Sequence, residues 1–549
     1  MEKTEAIEDT KVPVVDRAEA EPRRWTTTRV ELWAFYVYYI GNNGLSGFNF
    51  GPSQFQNLLF LAGYDPSHPP FTAACGAGTD CVLPYLGRVR DVNSIVLLTN
   101  GISFALQAAV LLIIGAWADY GSWRPNITIF FTILAVAVSF AWLGVEDASR
   151  WKAGVALYIL GRWSMHRIHP AFPGLARDLA NVQESAGRVE SGDKSAEEHA
   201  NLESMERNRI SNVSFAVSSA GEIIILAIMV GVLKGLKSDA STENNTKAFS
   251  VLIAFSGGVW LLCALPWFFL EKRRPGLALP PDASMLTIGF KQTYIAFREC
   301  MRLKQTFLYL IFYFLMGDVL NTTVTVIGTL QNSVVSYSTL QLTLLLIVGI
   351  VTQGLGIYLF WLVQKRFQIP TKTMLCFNVL WILILTVWGL IGIHTDKFGF
   401  KHVWEIWLYQ AYYGLMVCPW YAYSQTMISE VSPLPQMFLF FALFSVVGKT
   451  SAFIGPLVSS AIITASGNND NYPFAFLFTL CVPCLSCEHS SLTLWPACAP
   501  IRRYDERHTS GALSTVFLYL VDVEKSRKEC EEFVLAEAKR DAFADAVVA

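Results

Sequence analysis

Three ionisable residues stand where so apolar a chain has least reason to carry them. Glu222, Asp318 and Lys449 each fall near the middle of a long apolar run. A charge at that depth in a bilayer costs several kcal/mol unless it is paired, hydrated or neutralised. Glu222 lies in Ala220-Gly221-Glu222-Ile223, where small neighbours admit a second helix. Asp318 opens a polar stretch that continues through Asn321 and Thr322, and Lys449 is flanked by Gly448, Thr450 and Ser451. Two chemistries suit such groups. In the first, the acids contact a solute amine or carry a coupling proton, and the lysine contacts a carboxylate. In the second, they are buried ion pairs that fix helix packing.

A second set is uncharged. Residues 30–63 are apolar and aromatic enough to enter a bilayer, yet Gly, Pro and amide residues crowd their middle. Gly and Pro loosen a membrane helix, and amides in hydrocarbon need partners. Asn42, Asn43, Asn49 and Gln54 are therefore candidates for lining a polar cavity and binding a solute by hydrogen bonds. The same Gly and Pro make the helix phase unreliable, so which amide points inward is left open. Further on, Gln410, Tyr412 and Tyr413 lie too deep for an interfacial aromatic belt alone. Tyr412 joins the candidates, and Gly414 and Pro419 give its helix a flex point.

The elements that position these residues follow from composition. Of 549 residues 53% are hydrophobic and 16% charged, and the mean hydropathy is +0.39. With many segments of about 20 apolar residues, the fold class is an all-α polytopic membrane protein. Twelve spans are expected at 31–57, 94–117, 126–145, 153–175, 211–233, 249–270, 306–328, 338–363, 373–394, 403–427, 437–465 and 474–522. Lys and Arg concentrate in one alternate set of loops, which places a tail, 1–29, in the cytosol with the C-terminal tail, 523–549. Between the tails lie a six-span half (30–270), a cytosolic linker (271–305) and a second six-span half (306–522). The loop 176–210 reads as a solvated cytosolic helix and linker. Within 271–305, the run IGFKQTYIAFRECMRLKQ reads as an interfacial helix facing lipid phosphates.

On the opposite side Cys75 and Cys81 are either a disulfide, which an oxidising compartment would favour, or two free thiols. Asn244-Asn245-Thr246 is a glycosylation sequon in a short loop on that side. A net charge of −2 points to no nucleic-acid partner. No Gly-rich phosphate loop, His-Glu-x-x-His or Gly-x-Ser-x-Gly element stands in a context for catalysis. No cofactor or metal is expected, and the chain reads as a non-enzyme whose partners are the bilayer and a small solute.

Six spans, a basic linker and six more resemble the major facilitator architecture, in which each half is two three-span repeats. The third span of each repeat then faces lipid. The stretches TILAVAVSFAWLGV, VLIAFSGGVWLLCALPWFFL and MLCFNVLWILILTVWGLI of spans three, six and nine carry no acidic or basic residue, whereas Glu222, Asp318 and Lys449 fall in spans five, seven and eleven. Longer motifs resemble a narrower family. They include VELWAFYVYYIGNNGLSGFNFGPSQFQNLL, GAWADYGSWRPNITIFFTIL, AFPGLARDL, GGVWLLCALPWFFLEKRRPG and VDVEKSRKECEEF. The chain is similar to the autophagy-related protein 22 family of fungal vacuolar transporters. That resemblance implies export of neutral, leucine-like amino acids from vacuole to cytosol, with the proton gradient as a candidate drive. It also implies that Asp119 and Arg124, in a Gly/Asp/Gly/Arg loop, latch a cytosolic gate; a tight charged turn would use the same residues. The rival readings are a facilitator for another small solute, such as a sugar, peptide or drug, and a non-transporting scaffold or defective isoform.

Two places depart from the family pattern. At 161–170 the chain reads GRWSMHRIHP, so span four is disrupted by two arginines and two histidines. At 486–515 a polar segment interrupts span twelve, and its removal would join 474–485 to 516–521 as a normal span. Both look like errors of gene assignment or splicing. Sequencing of full-length transcripts is expected to show different junctions at both places; reads running through both as written would contradict this.

Overall fold

The computed structural model describes residues 26–67, 73–75, 81–119, 124–164, 172–274, 288–433, 437–481 and 514–548. In chain order, α1 (Arg29–Gly41) passes through a π-helical stretch, Leu45–Phe50, into α2 (Gly51–Ala62). A hairpin of β1 (Val82–Tyr85) and β2 (Arg88–Asp91) follows. The rest of this half is α3 (Val92–Asp119), α4 (Arg124–Ala141), α5 (Trp151–Ser164), α6 (Phe172–Arg177), α7 (Ala180–Glu190), α8 (Ala196–Leu236) and α9 (Thr242–Leu270). After the linker helix α10 (Ile288–Cys300) come α11 (Lys304–Val334), α12 (Thr339–Phe367), α13 (Thr371–Ile391) and α14 (Val403–Tyr412). A second π-helical turn, Tyr413–Val417, leads to α15 (Pro419–Val431), α16 (Met437–Ala465), α17 (Pro473–Cys481), α18 (Ser514–Leu520) and α19 (Val523–Val548).

Among the described residues eight helices are long and apolar enough to cross a membrane, within α3, α4, α8, α9, α11, α12, α13 and α16. The other four expected spans are interrupted. Spans one and ten are broken by π-helical turns. Span four is divided between α5 and α6, and span twelve between α17 and α18, both of which pack on α11. Residues 165–171 and 482–513, which carry most of the two expected disruptions, lie outside the described residues.

Span one bends where its glycines allow. Gly44 has φ 91°, a left-handed conformation open to Gly at little cost. Gly41 lies against α9 so closely that a Cβ there would sit 2.8 Å from the Trp260 Cα. The loop that follows span one contains the hairpin. Leu86 and Gly87, at φ 50° and 76°, form its turn, the paired positive φ that suits twisted two-residue hairpins. Tyr64 bridges to Val82 in both directions at 3.0 Å, and Cys75 and Cys81 are joined as a disulfide, with Cα atoms 5.4 Å apart. The polar loop 176–210 becomes α6, α7 and the first turns of α8, which runs unbroken into span five behind a Ser195 cap.

The face where α1 begins, the near face, is fastened within each half by buried polar groups. Arg274, just past α9, lies 2.6 Å from a Glu31 oxygen at the start of α1 and 2.7 Å from Asp178 after α6. All three side chains are at most 4% exposed. Burial opposes the Arg274 charge, but hydrogen bonds and attraction from Glu31 and Asp178 raise its pKa above the ordinary guanidinium value. Thr27 Oγ1 accepts a further bond from Arg274. In the second half Asp522 N–H donates to Gln305 (2.7 Å), and Gln305 N–H to Glu529 (3.1 Å), tying α19 to the start of α11. The Glu271–Arg274 segment is thus a structural clasp. Removing one member of a buried ion cluster costs about 3–5 kcal/mol. Arg274→Met is expected to lower the thermal midpoint of the purified protein by a loss of that order; an unchanged midpoint would show that the cluster does not fasten this half.

Candidate functional site

The two halves meet at the far face through polar side chains, most of them uncharged. Gln56 Nε2, on α2, donates to Asn93 Oδ1 (2.7 Å), Thr329 O (3.0 Å) and Ser333 Oγ (3.4 Å). Its Oε1 accepts from Asn332 Nδ2 at 2.8 Å, and Ser53 Oγ donates to Asn332 Oδ1 at 3.0 Å. Beside this contact of spans one and seven, α3 lies along α16. There Ser94 shares bonds of 2.8 Å and 3.0 Å with Ser460 and Thr464, and Asn93 Nδ2 donates to Asp470. Asn245, at the start of α9, donates to Tyr337 O (2.8 Å) and accepts from Thr339.

The near face differs. From Thr339 to Ile350, the far half of α12, no residue is exposed. From Val351 to Phe367 every residue is exposed except Thr352, Gly356, Phe360 and Gln364. That spacing of four marks one narrow packed stripe, which meets the π turn of span ten: a Cβ on Gly356 would lie 2.6 Å from Gly414 O. All other sides of this half-helix are unpacked. The halves are thus joined by polar side chains at the far face, whereas the near half of α12 packs along one stripe only.

Asp318 lies on the contact of α11 with α16, 4% exposed. Its Oδ1 accepts from the Gly455 N–H (2.9 Å) and from Thr322 Oγ1 (3.2 Å). Gly455 precedes Pro456 within α16, and its lack of a side chain lets the carboxylate reach the backbone. No cation lies within ion-pair distance of Asp318 among the described residues. Asn321, part-exposed one turn on, spends one donor on Gly317 O. Glu222 is part-exposed on α8, next to Gly221, which packs on Ile40 of α1. Lys449 is on α16, and Asp119 and Arg124 flank the turn between α3 and α4; these three side chains lie outside the described residues.

The amides of span one divide differently from the sequence reading. Asn43 is used locally, donating to Ile40 O and accepting from Leu45 N–H. Gln54, fully buried, bonds Thr246 O (3.2 Å), Ser250 Oγ (3.1 Å) and Val145 O. These bonds all lie within the first half. Asn42 is buried at the end of α1. Asn49 stays half-exposed, and no hydrogen bond of its side chain occurs among the described residues. Gln56 and Ser53, whose neighbours spell nothing distinctive, make the contact between halves. Tyr412 also departs from expectation: its hydroxyl donates to Trp381 O of α13 at 2.8 Å, so it braces span nine rather than lining a cavity. Gly414 serves close packing rather than flexing, since a Cβ there would lie 2.7 Å from Gln353 N. Asn244 is exposed in the first turn of α9, but Thr246 of its sequon is buried and bonded to Asn57.

One residue of the segment read as an error of gene assignment or splicing departs from that expectation, because Arg162 is packed as part of span four. Arg162 lies inside α5, with its guanidinium 4.9 Å, 5.1 Å and 5.6 Å from the rings of Phe48, Phe104 and Tyr158. Its Nη2 donates to Asn100 Oδ1 at 2.7 Å, and the Tyr158 hydroxyl donates to the same oxygen at 2.9 Å. Asn100 in turn donates to Thr325 of α11 at 3.3 Å.

Two bundles of membrane-crossing helices, joined to each other by polar contacts at one face, make an all-α polytopic membrane protein with a major-facilitator-like fold. Solved structures agree on the fold. A POT family transporter in complex with 5-aminolevulinic acid matches with a TM-score of 0.53 at 10% identity, covering 82% of this chain and 93% of that one. A POT family transporter with a thioalcohol-conjugated peptide gives 0.51 at 11%, with the same coverage. The chain belongs to the family described as vacuole effluxer Atg22 like, which it matches over residues 27–489. Autophagy-related protein 22 of Pichia angusta is 23% identical over 428 residues, covering 73% of this chain and 76% of that protein. The protein of the same name from Saccharomyces cerevisiae S288c is 22% identical over 468 residues, covering 79% and 85%.

Gln56 joins Thr329, Asn332 and Ser333 of the other half, and each net hydrogen bond contributes about 0.5–1.5 kcal/mol. Gln56→Leu is expected to expose the seal. A cysteine at Ser333, with native thiols blocked, should react several-fold faster with an impermeant maleimide applied to the far face. Equal labelling with and without the substitution would show that these amides do not hold the halves.

Proposed function

We propose that this protein exports neutral amino acids of the leucine type from the vacuole to the cytosol, by alternating access and together with protons. In this reading the near face is cytosolic, with both tails, and the far face is luminal. The structure then corresponds to the state that has released its solute to the cytosol. The observation that carries the reading is the asymmetry of the two faces: an amide seal on one side and an unpacked half of α12 on the other. Membership of a vacuole effluxer family and the name shared by the relatives support the compartment and direction. The solute class rests on the family resemblance.

Asp318 is the coupling group in this proposal. It sits at the middle of α11 and touches α16, so its protonation acts on a contact between two pathway helices. A neutral carboxyl loses the attraction to the Gly455 N–H that the carboxylate enjoys, which links proton binding to the packing of α16. Vacuolar vesicles carrying the protein are expected to release labelled leucine faster than vesicles lacking it, and a protonophore should reduce the difference. Asp318→Asn should slow release by about tenfold, the effect of ~1.4 kcal/mol on a barrier. Equal release from vesicles with, without and with substituted protein would rule the mechanism out.

A further inference from the structure

We infer that Arg162 is the carboxylate anchor of the transport site, a role that rests on the proposed amino-acid reading for the full solute but not for the carboxylate itself. Arg162 lies eleven residues into α5, and at 1.5 Å per residue that is roughly 16 Å from the far-face end of the helix, near the middle of a ~30 Å hydrocarbon core. A guanidinium at that depth calls for a counter-charge. None is found: among the described residues no carboxylate lies within ion-pair distance of it. Among the described residues the one hydrogen-bonded partner of its guanidinium is a neutral amide oxygen, at 2.7 Å.

The surroundings hold the cation without neutralising it. Phe48 of span one, Phe104 of α3 and Tyr158 of α5 offer ring faces, whose quadrupoles attract a cation. Asn100 fixes one edge of the fork, and Tyr158 fixes Asn100. The Nε is buried with no hydrogen-bond partner, although guanidinium has five donors and no acceptor. The residue keeps part of its surface accessible. A planar fork with unspent donors, walled by rings, matches a carboxylate in geometry as well as charge.

Its position supports transport rather than packing. Asn100 reaches Thr325 Oγ1 on α11 at 3.3 Å, so the cluster touches the opposing half of the bundle one turn beyond Asn321. A carboxylate bound at Arg162 would therefore lie between the halves.

The test uses the full-length purified protein and thermal stabilisation, since a ligand that binds only the folded state raises its midpoint. Three probes separate the functional groups: leucine, leucinamide, which lacks the carboxylate, and 4-methylpentanoate, which lacks the amine. Leucine and 4-methylpentanoate are expected to stabilise, and leucinamide to do so at least about tenfold more weakly in apparent affinity. Arg162→Gln should remove this preference. Asn100→Asp provides an internal carboxylate for the guanidinium, so it should raise the midpoint of the unliganded protein while abolishing the response to carboxylates; it decides the matter if Arg162→Gln does not fold. Stabilisation by 4-methylpentanoate but not leucine would sink the amino-acid reading and leave the anchor standing. The anchor is overturned if leucinamide equals leucine, if no probe stabilises, if the preference survives in the variants that fold, or if Asn100→Asp destabilises the unliganded protein.

Discussion

The constraint on which the structure depends is that polar groups inside a bilayer must find partners, and that partners of different strength hold different things. Within the first half the partners are charges: Arg274 is buried with Glu31 and Asp178, within 2.7 Å of an oxygen of each. Breaking such a cluster costs several kcal/mol, so it makes the helices it joins a lasting unit. Between the halves at the far face the partners are amides and hydroxyls, with Gln56 and Asn332 at the centre. Each of these bonds is worth about 1 kcal/mol net, and water or other amides can replace it. Strong fastening inside a half and weak fastening between halves is what a rocking transporter requires.

The same constraint explains which site residues could be read from the chain. The presence of long helices, the two halves, the linker and the polar nature of span one all follow from local composition, because hydrocarbon punishes polarity wherever it occurs. The assignment of individual amides does not. Gln54 and Gln56 are two residues apart, yet one is buried in the first half and the other grips the second. A π-helical stretch and a left-handed Gly44 precede them, so no periodic rule carries phase from α1 into α2. Tyr412 illustrates another limit: depth in the membrane is legible, but the face of the helix that bears the residue is set by neighbours far along the chain. Arg162 reads as an expense because its partners, Phe48, Asn100 and Phe104, are distant in sequence. The hairpin had a local signal in Leu86-Gly87 between short apolar-alternating runs.

The π-helical turns in spans one and ten connect sequence to mechanism in the same way. In span one the extra turn follows Gly44 and carries Phe48 to the Arg162 guanidinium. In span ten it presents bare backbone at Gly414 to the one packed stripe of α12. Wider helical turns of this kind recur at functional sites, and here each adjoins a surface that must move: the seam between halves, and the half-helix left unpacked at the near face.

The central claim is that the far-face seal must open and close for solute to cross. Ser53 and Asn332 meet across it at 3.0 Å, so Ser53→Cys with Asn332→Cys places two thiols on opposite halves. Transport by this double variant, measured in reconstituted vesicles, should stop on oxidation and return on reduction, while the parent protein taken through the same steps keeps its rate. Transport that continues unchanged once the cross-link has formed would contradict the account.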